Sequence, residues 1–109
     1  MKPPRENTLS QQFPVGSVLG GRYEITTHII ITAESDMVLE GTDQVLNRKV
    51  SVVIASPSRS ALLEANSRAL ATNARGNIQI LDLGITPEGS RYLVTSHTRP
   101  DTLLDTLLI

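Results

Sequence analysis

Glu64 lies in the run Ala61 to Thr72, where Leu62, Ala65 and Ala69 fall on one stripe and Leu63 and Leu70 widen it, a spacing that predicts a helix. Its carboxylate could move a proton or hold a cation. Arg68 stands four residues on, the separation of neighbours on a helix face, so a surface ion pair is the simpler role. His28 and His97 have the ring of a proton shuttle or metal ligand. Each is alone in sequence, with no carboxylate or cysteine cluster around it, and a metal site needs several such ligands. Cysteine is absent, which removes thiolate metal sites and disulfides together. Ser58 and Ser60 could accept a phosphoryl group, but serines there serve equally as helix caps.

Phosphate binding needs a cation or a cradle of backbone N–H groups. Lys49 opens the apolar run to Ala55, and Val53 shares its face of an extended strand at roughly 13 Å. That is too far for one ammonium to serve both places. No Lys or Arg occurs between Tyr23 and Asn47, so the two strands expected there supply no cation.

Certain elements must position these groups. Tyr23 to Ile31 is aromatic and β-branched and predicts a strand, with Ile29 to Ile31 buried unless it forms an exposed edge. Met37 to Thr42 predicts a second strand after the polar turn Thr32 to Asp36. Asp43 to Asn47 predicts a turn and Lys49 to Ala55 a third strand. Ser56 to Ser60 breaks that strand and offers caps to the helix, which Gly76 closes. Ile78 to Ile85 and Arg91 to Ser96 predict two more strands around a Pro-Gly turn. Arg99-Pro100 separates them from a last helical segment that Asp101 could cap. The fold class is α+β: a five-stranded, mostly antiparallel sheet in the order β-β-β-α-β-β with one packed helix, then a short C-terminal helix. Residues 1–16 read as an arm, with Phe13 or Val15 docking on the domain, and 17–109 as the domain.

Length and composition bound the function. A chain of 109 residues makes one small domain at most. Phe13, Tyr23 and Tyr92 are its only aromatic residues, so the core must be aliphatic. A net charge of −1 argues against nucleic acid, whose binders carry a basic stripe. The apolar runs fall short of the ~20 residues that span a bilayer, and Met1 to Asn7 is too polar for a signal peptide. The expected compartment is the cytoplasm. The closing apolar pattern, Asp101 to Ile109, stops abruptly, as in a chain that continues.

The run Val50-Ser51-Val52-Val53 also resembles the third strand of Hanks-type Ser/Thr protein kinases, where the pattern is Val-Ala-Ile-Lys. The chain is similar to the N-terminal lobe of that family from about Ser17 to Ile109. Arg22-Tyr23-Glu24-Ile25 resembles the bacterial opening Arg-Tyr-x-Leu, and Leu39 to Asp43 the end of strand two. Leu63-Glu64-Ala65 resembles the helix C motif, and Asn77 to Gly84 the fourth strand. Tyr92-Leu93-Val94 with Thr102-Leu103 resembles the hinge and the start of helix D. Carried over position by position, the resemblance puts Ile31, Ala33 and Asp36 at the three loop glycines and Val53 at the phosphate-gripping lysine. Glu64 keeps the helix C glutamate without its lysine partner.

What the resemblance implies is a degenerate lobe, a pseudokinase of bacterial and specifically actinobacterial type. It implies no catalysis, no cofactor and no metal. Its expected partner is a protein: a second copy bound through the lobe surface, or an active Ser/Thr kinase, within the cytosol or as the cytosolic head of a membrane or signalling protein in cell-envelope control. The apolar surface that normally meets a large lobe would need a cover from such a partner. Two alternatives stand beside it. One is the small-lobe fragment of a nucleotide-binding, weakly active or inactive kinase. The other is a structural domain with no partner.

Overall fold

A computed structural model describes residues 13–32, 36–73, 78–86 and 89–108. Its elements are β1 (Val18–Leu19), β2 (Tyr23–Ile31), β3 (Met37–Asp43), β4 (Arg48–Ile54), α1 (Ser60–Asn73), β5 (Ile80–Ile85), β6 (Arg91–Ser96) and α2 (Pro100–Leu107). A 3-10 turn, Pro57–Arg59, leads into α1. The six strands form one antiparallel sheet in the order β1-β2-β3-β4-β6-β5. The α+β class expected from the sequence is present, with six strands rather than five. The added strand, β1, is only two residues long and has no periodicity to read. Its register, Leu19 opposite Tyr23, is closed by the Arg22 N–H donating to the Leu19 carbonyl.

Both faces of the sheet are apolar. Tyr23, Ile25, Met37, Leu39, Val50, Val52, Ile54, Tyr92 and Val94 join Phe13 and Leu19 on the inner face. Val38, Val53, Ala55 and Leu93 pack on the other with Leu63 and Leu70 of α1 and Leu103 and Leu107 of α2. That double burial is why β4 reads as a continuous apolar run: Val50 to Ala55 are all buried. The sheet curls on its inner face. The Tyr23 hydroxyl on β2 donates to Asp82 Oδ2 on β5 at 2.8 Å, although β3, β4 and β6 lie between them in the sheet.

Close approach explains two glycines. A Cβ at Gly84 would lie 2.3 Å from the Tyr92 ring, so its absence lets that ring cover β5. A Cβ at Gly41 would lie 2.6 Å from the Glu24 carbonyl, beside the register shift between Ile25 and Thr27.

Several local expectations are corrected. The buried stripe of α1 is Leu63, Ser67 and Leu70, while Ala65 and Ala69 are exposed. Bulk decides: leucines at i and i+7 bury more apolar area than alanines do, and Ser67 satisfies its hydroxyl on the Leu63 carbonyl at 2.6 Å. Asp101 lies inside the first turn of α2, where its carboxylate accepts from the Thr102 N–H. Arg99 is the N-cap and makes no side-chain capping bond. Ser56 precedes the 3-10 turn without a side-chain cap. Ile29 and Ile31 are exposed, at 37% and 40%, because β1 covers only the start of β2 and leaves the later edge open. Phe13 is buried in the core and Val15 is 61% exposed. Residues 1–12, Ala33 and the helix-closing Gly76 lie outside the described residues.

Charge fixes the two ends of the hairpin region. Arg22 donates to both oxygens of Asp43, at 2.8 and 2.9 Å, and the Val45 and Leu46 N–H groups add two more bonds. The Arg22 bonds and then those N–H groups hold the Asp43 carboxyl well below the usual range, against the opposing effect of burial. Tyr23 is pushed up to about 12, first by burial and then by its bond to Asp82. The signs give a two-sided pH profile. The Asp43 contribution is complete above the unfolded carboxylate range and is lost as pH falls below it. The Tyr23 contribution is complete below about pH 10, the unfolded tyrosine value, and is lost as pH rises toward the folded value. In a Tyr92→Phe variant, absorbance at 295 nm is expected to show Tyr23 ionising only as the far-ultraviolet circular dichroism is lost. Ionisation near the unfolded value with the fold intact would contradict the buried Tyr23–Asp82 bond.

Candidate functional site

Two of the positions singled out by sequence, Asp36 and Val53, lie near the junction of β3, β4 and the 3-10 turn. Antiparallel register sets Val38 opposite Val53, and Val53 opposite Leu93. Val38, Val53 and Leu93 thus form a transverse row on the helix face, with Val53 fully buried in its centre. An aliphatic side chain there completes a core layer. Lys49, four residues away, is exposed.

Asp36 caps the same row from the end of β3. Its side chain is fully buried and turned inward. Oδ1 accepts from the Ser56 N–H at 3.0 Å and Oδ2 from Arg59 Nε at 2.6 Å. The Thr32 N–H donates to the Asp36 carbonyl, and the Asp36 N–H donates to Thr32 Oγ1, closing the β2–β3 turn. The Asp36 charge is thus met by Arg59 within the fold. Arg59, not Lys49, is the cation that reaches this corner. The signal for it is weak: one arginine among serines after a proline. Only the tertiary path of the chain brings its guanidinium to the β3 end of the sheet.

Ile31, at the end of β2, is 40% exposed. Glu64 is half-buried on α1 and pairs with Arg68 at 3.3 Å, as its spacing requires. It also pairs with Arg91 of β6 at 3.7 Å, which the sequence did not reveal. The structure brings Asp36 and Val53 to one corner and ties Glu64 to other cations. His97 Nε2 lies 3.0 Å from Glu40 Oε2, a partner distant in sequence, and His28 Nε2 lies 2.6 Å from the Phe13 carbonyl. No group of three or more potential metal ligands occurs among the described residues.

The apolar face expected to need a partner is covered in part by the chain's own C-terminus. Leu103, Leu107 and Leu108, of α2 and the residue after it, are buried against the layer that holds Val38 and Val53. Arg59 Nη2 donates to the Leu108 carbonyl at 2.7 Å and Asn66 Nδ2 to the Leu107 carbonyl at 2.8 Å. What remains open lies beside β5, the end strand of the sheet. A shallow groove of about 190 Å³ is lined there by Glu64, Ser67, Arg68, Ile80, Leu83 and Leu93. A register shift between Ile80 and Asp82 places Leu83 rather than Asp82 in that lining. Leu83 and Ile85 are 40% and 57% exposed.

No helix among the described residues is long and apolar enough to cross a membrane. No protein-family model matches the chain, and no curated protein matches it.

Proposed function

We propose that the chain is a non-catalytic interaction module with the plan of a protein-kinase small lobe, in which the phosphate-binding positions have become structural. The observation that carries this reading is the burial of Val53 within an unbroken aliphatic row. Where the resembled family has a lysine facing nucleotide, this chain has a core residue. Asp36 supports the same reading, since its carboxylate is engaged by Arg59 and the Ser56 N–H. Glu64, the other half of the family's ion pair, is engaged by Arg68 and Arg91.

In this reading the working surface is the exposed one. Leu83, Ile85 and the groove beside α1 form a partly apolar edge on an end strand, and such edges accept protein partners. In this reading the module acts in the cytosol, alone or as the head of a longer membrane or signalling protein, and pairs with itself or with an active Ser/Thr kinase.

A thermal-shift titration with ATP and Mg²⁺ tests the non-catalytic part. A ligand at a hundredfold over its Kd stabilises its site by about 2.7 kcal/mol, which moves the Tm of a domain this size by several degrees. The expected result is no saturable shift at millimolar ATP. A saturating rise in Tm would favour a nucleotide-binding small lobe and overturn the proposal.

A further inference from the structure

Building on the reading above, in which this edge is the contact surface, we propose that the outer edge of β5 fits a second copy of this chain, and that the Asp82 carboxylate guards it by occupying a backbone donor the pairing needs.

The hydrogen-bond phase of the ladder fixes which groups face out. The Ala55 N–H donates to the Arg91 carbonyl across β4 and β6, so the alternate residues Tyr92 and Val94 turn their backbone groups toward β5. Their partners there are Gly84 and Asp82. Leu83 and Ile85, opposite Leu93 and Arg91, therefore direct their N–H and C=O groups away from the sheet. The bond from the Thr86 N–H to the Ser90 carbonyl has the same phase. Outward main-chain groups on an end strand are a template for another strand.

The side chains on this edge suit a copy of the chain. Ile80, Leu83 and Ile85, opposite Thr95, Leu93 and Arg91, share the helix face because the register shift between Ile80 and Asp82 sets them in one row. All three are apolar, and Leu83 and Ile85 are exposed. The inner face of β5 is closed by the chain itself, since the Tyr92 ring covers Gly84 and Asp82 turns to Tyr23. Two antiparallel β5 strands about a two-fold axis would extend the six-stranded sheet and lay both α1 helices on one side, running in opposite directions. The groove wall then matches itself. Glu64 and Arg68, one turn apart and opposite in charge, line it in each copy, so the axis brings the carboxylate of one copy toward the guanidinium of the other. A second copy has this complement by symmetry.

Asp82 stands in the way. It is the one charged residue of β5. Its Oδ1 accepts from the Leu83 N–H at 2.8 Å, and its Oδ2 accepts from the Tyr23 hydroxyl at 2.8 Å. The second bond tethers the carboxylate to β2, across the inner face. Past the register shift the outward donors of β5 are those of Leu83 and Ile85, so the carboxylate takes half of them, and symmetry repeats the loss in the other copy. Pairing must first displace it.

Sedimentation velocity on the full chain, over a concentration series, tests the guard. Asp82→Ala alone orphans the buried Tyr23 hydroxyl, so the variant combines Asp82→Ala with Tyr23→Phe, which removes both partners of that bond. Tyr23→Phe alone keeps the carboxylate on Leu83 and serves as the control. The double variant is expected to dimerise about tenfold or more tightly than wild type or the control, the worth of one hydrogen bond freed in each copy. Adding Ile85→Lys, which sets like charges together across the axis, returns it to monomer. Amide exchange on the wild type needs no variant: Leu83 is expected to exchange about tenfold more slowly than Ile85, although both face outward. A folded double variant as monomeric as wild type would leave the edge to another kind of partner and overturn the proposal. A dimer that survives Ile85→Lys would also overturn it, as would a Leu83 amide that exchanges as fast as Ile85. These readouts are independent of ATP binding, so the non-catalytic reading stands or falls on its own titration.

Discussion

Replacing Val53 by lysine destabilises the domain by about 3–5 kcal/mol and confers no nucleotide binding. The substitution places a lysine where the proposed small-lobe reading has one, so under the alternative reading, a cleft merely missing its lysine, the cleft would be repaired. Here the side chain enters a dry layer between Val38 and Leu93. An ammonium placed there loses its hydration, and an uncompensated buried charge costs about 3–5 kcal/mol. Glu64 is the acid that could neutralise it, but Arg68 and Arg91 already pair with that carboxylate. Native domains have only about 5–15 kcal/mol of stability in total, so much of Val53→Lys is unfolded at room temperature. Val53→Met adds volume without charge and costs about 1–3 kcal/mol by overpacking. Urea denaturation of the two variants separates charge from volume. A folded Val53→Lys protein stabilised by ATP and Mg²⁺ would show that a usable cleft exists and would remove the main support for the proposed function.

Asp36→Ala gives the second large loss, about 3 kcal/mol or more. It leaves the Arg59 guanidinium half-buried without its carboxylate, and removes the acceptor for the Ser56 N–H. Asp36→Gly is expected to lose as much, because the carboxylate rather than backbone freedom is what this site uses. Asp36→Asn keeps an acceptor for Ser56 and the side-chain volume, so it falls between alanine and wild type. Chemical denaturation of the three variants checks the order. A change within about 0.5 kcal/mol for alanine, the range of ordinary surface positions, would show that the Asp36–Arg59 pair holds nothing together.

The strands were legible in the sequence because their burial is periodic or continuous. Tyr23 to Ile31 and Arg91 to Ser96 have the ends the residues suggest. Lys49 to Ala55 reads as a buried strand because both faces of β4 are covered. The β1 strand was not legible, since two residues carry no period. The stripe of α1 was misplaced because alanine and leucine count alike in an apolar pattern, whereas packing responds to volume. The candidate positions were legible as departures: an aliphatic Val53, an acidic Asp36 and a Glu64 four residues from Arg68. Their partners were not, because Arg59, Arg91 and the Ser56 N–H reach them only through the path of the folded chain.

The local preferences of this chain determined an α+β domain with an aliphatic core, no thiol chemistry and no lysine or arginine between Tyr23 and Asn47. Tertiary structure alone decided the rest. Antiparallel register made Val53 the centre of a buried row, and the turn after β4 carried Arg59 to Asp36. The fold of the C-terminus laid α2 over a face that local sequence had left for a partner. Each of these contacts joins residues far apart along the chain, where no periodicity or propensity can record them.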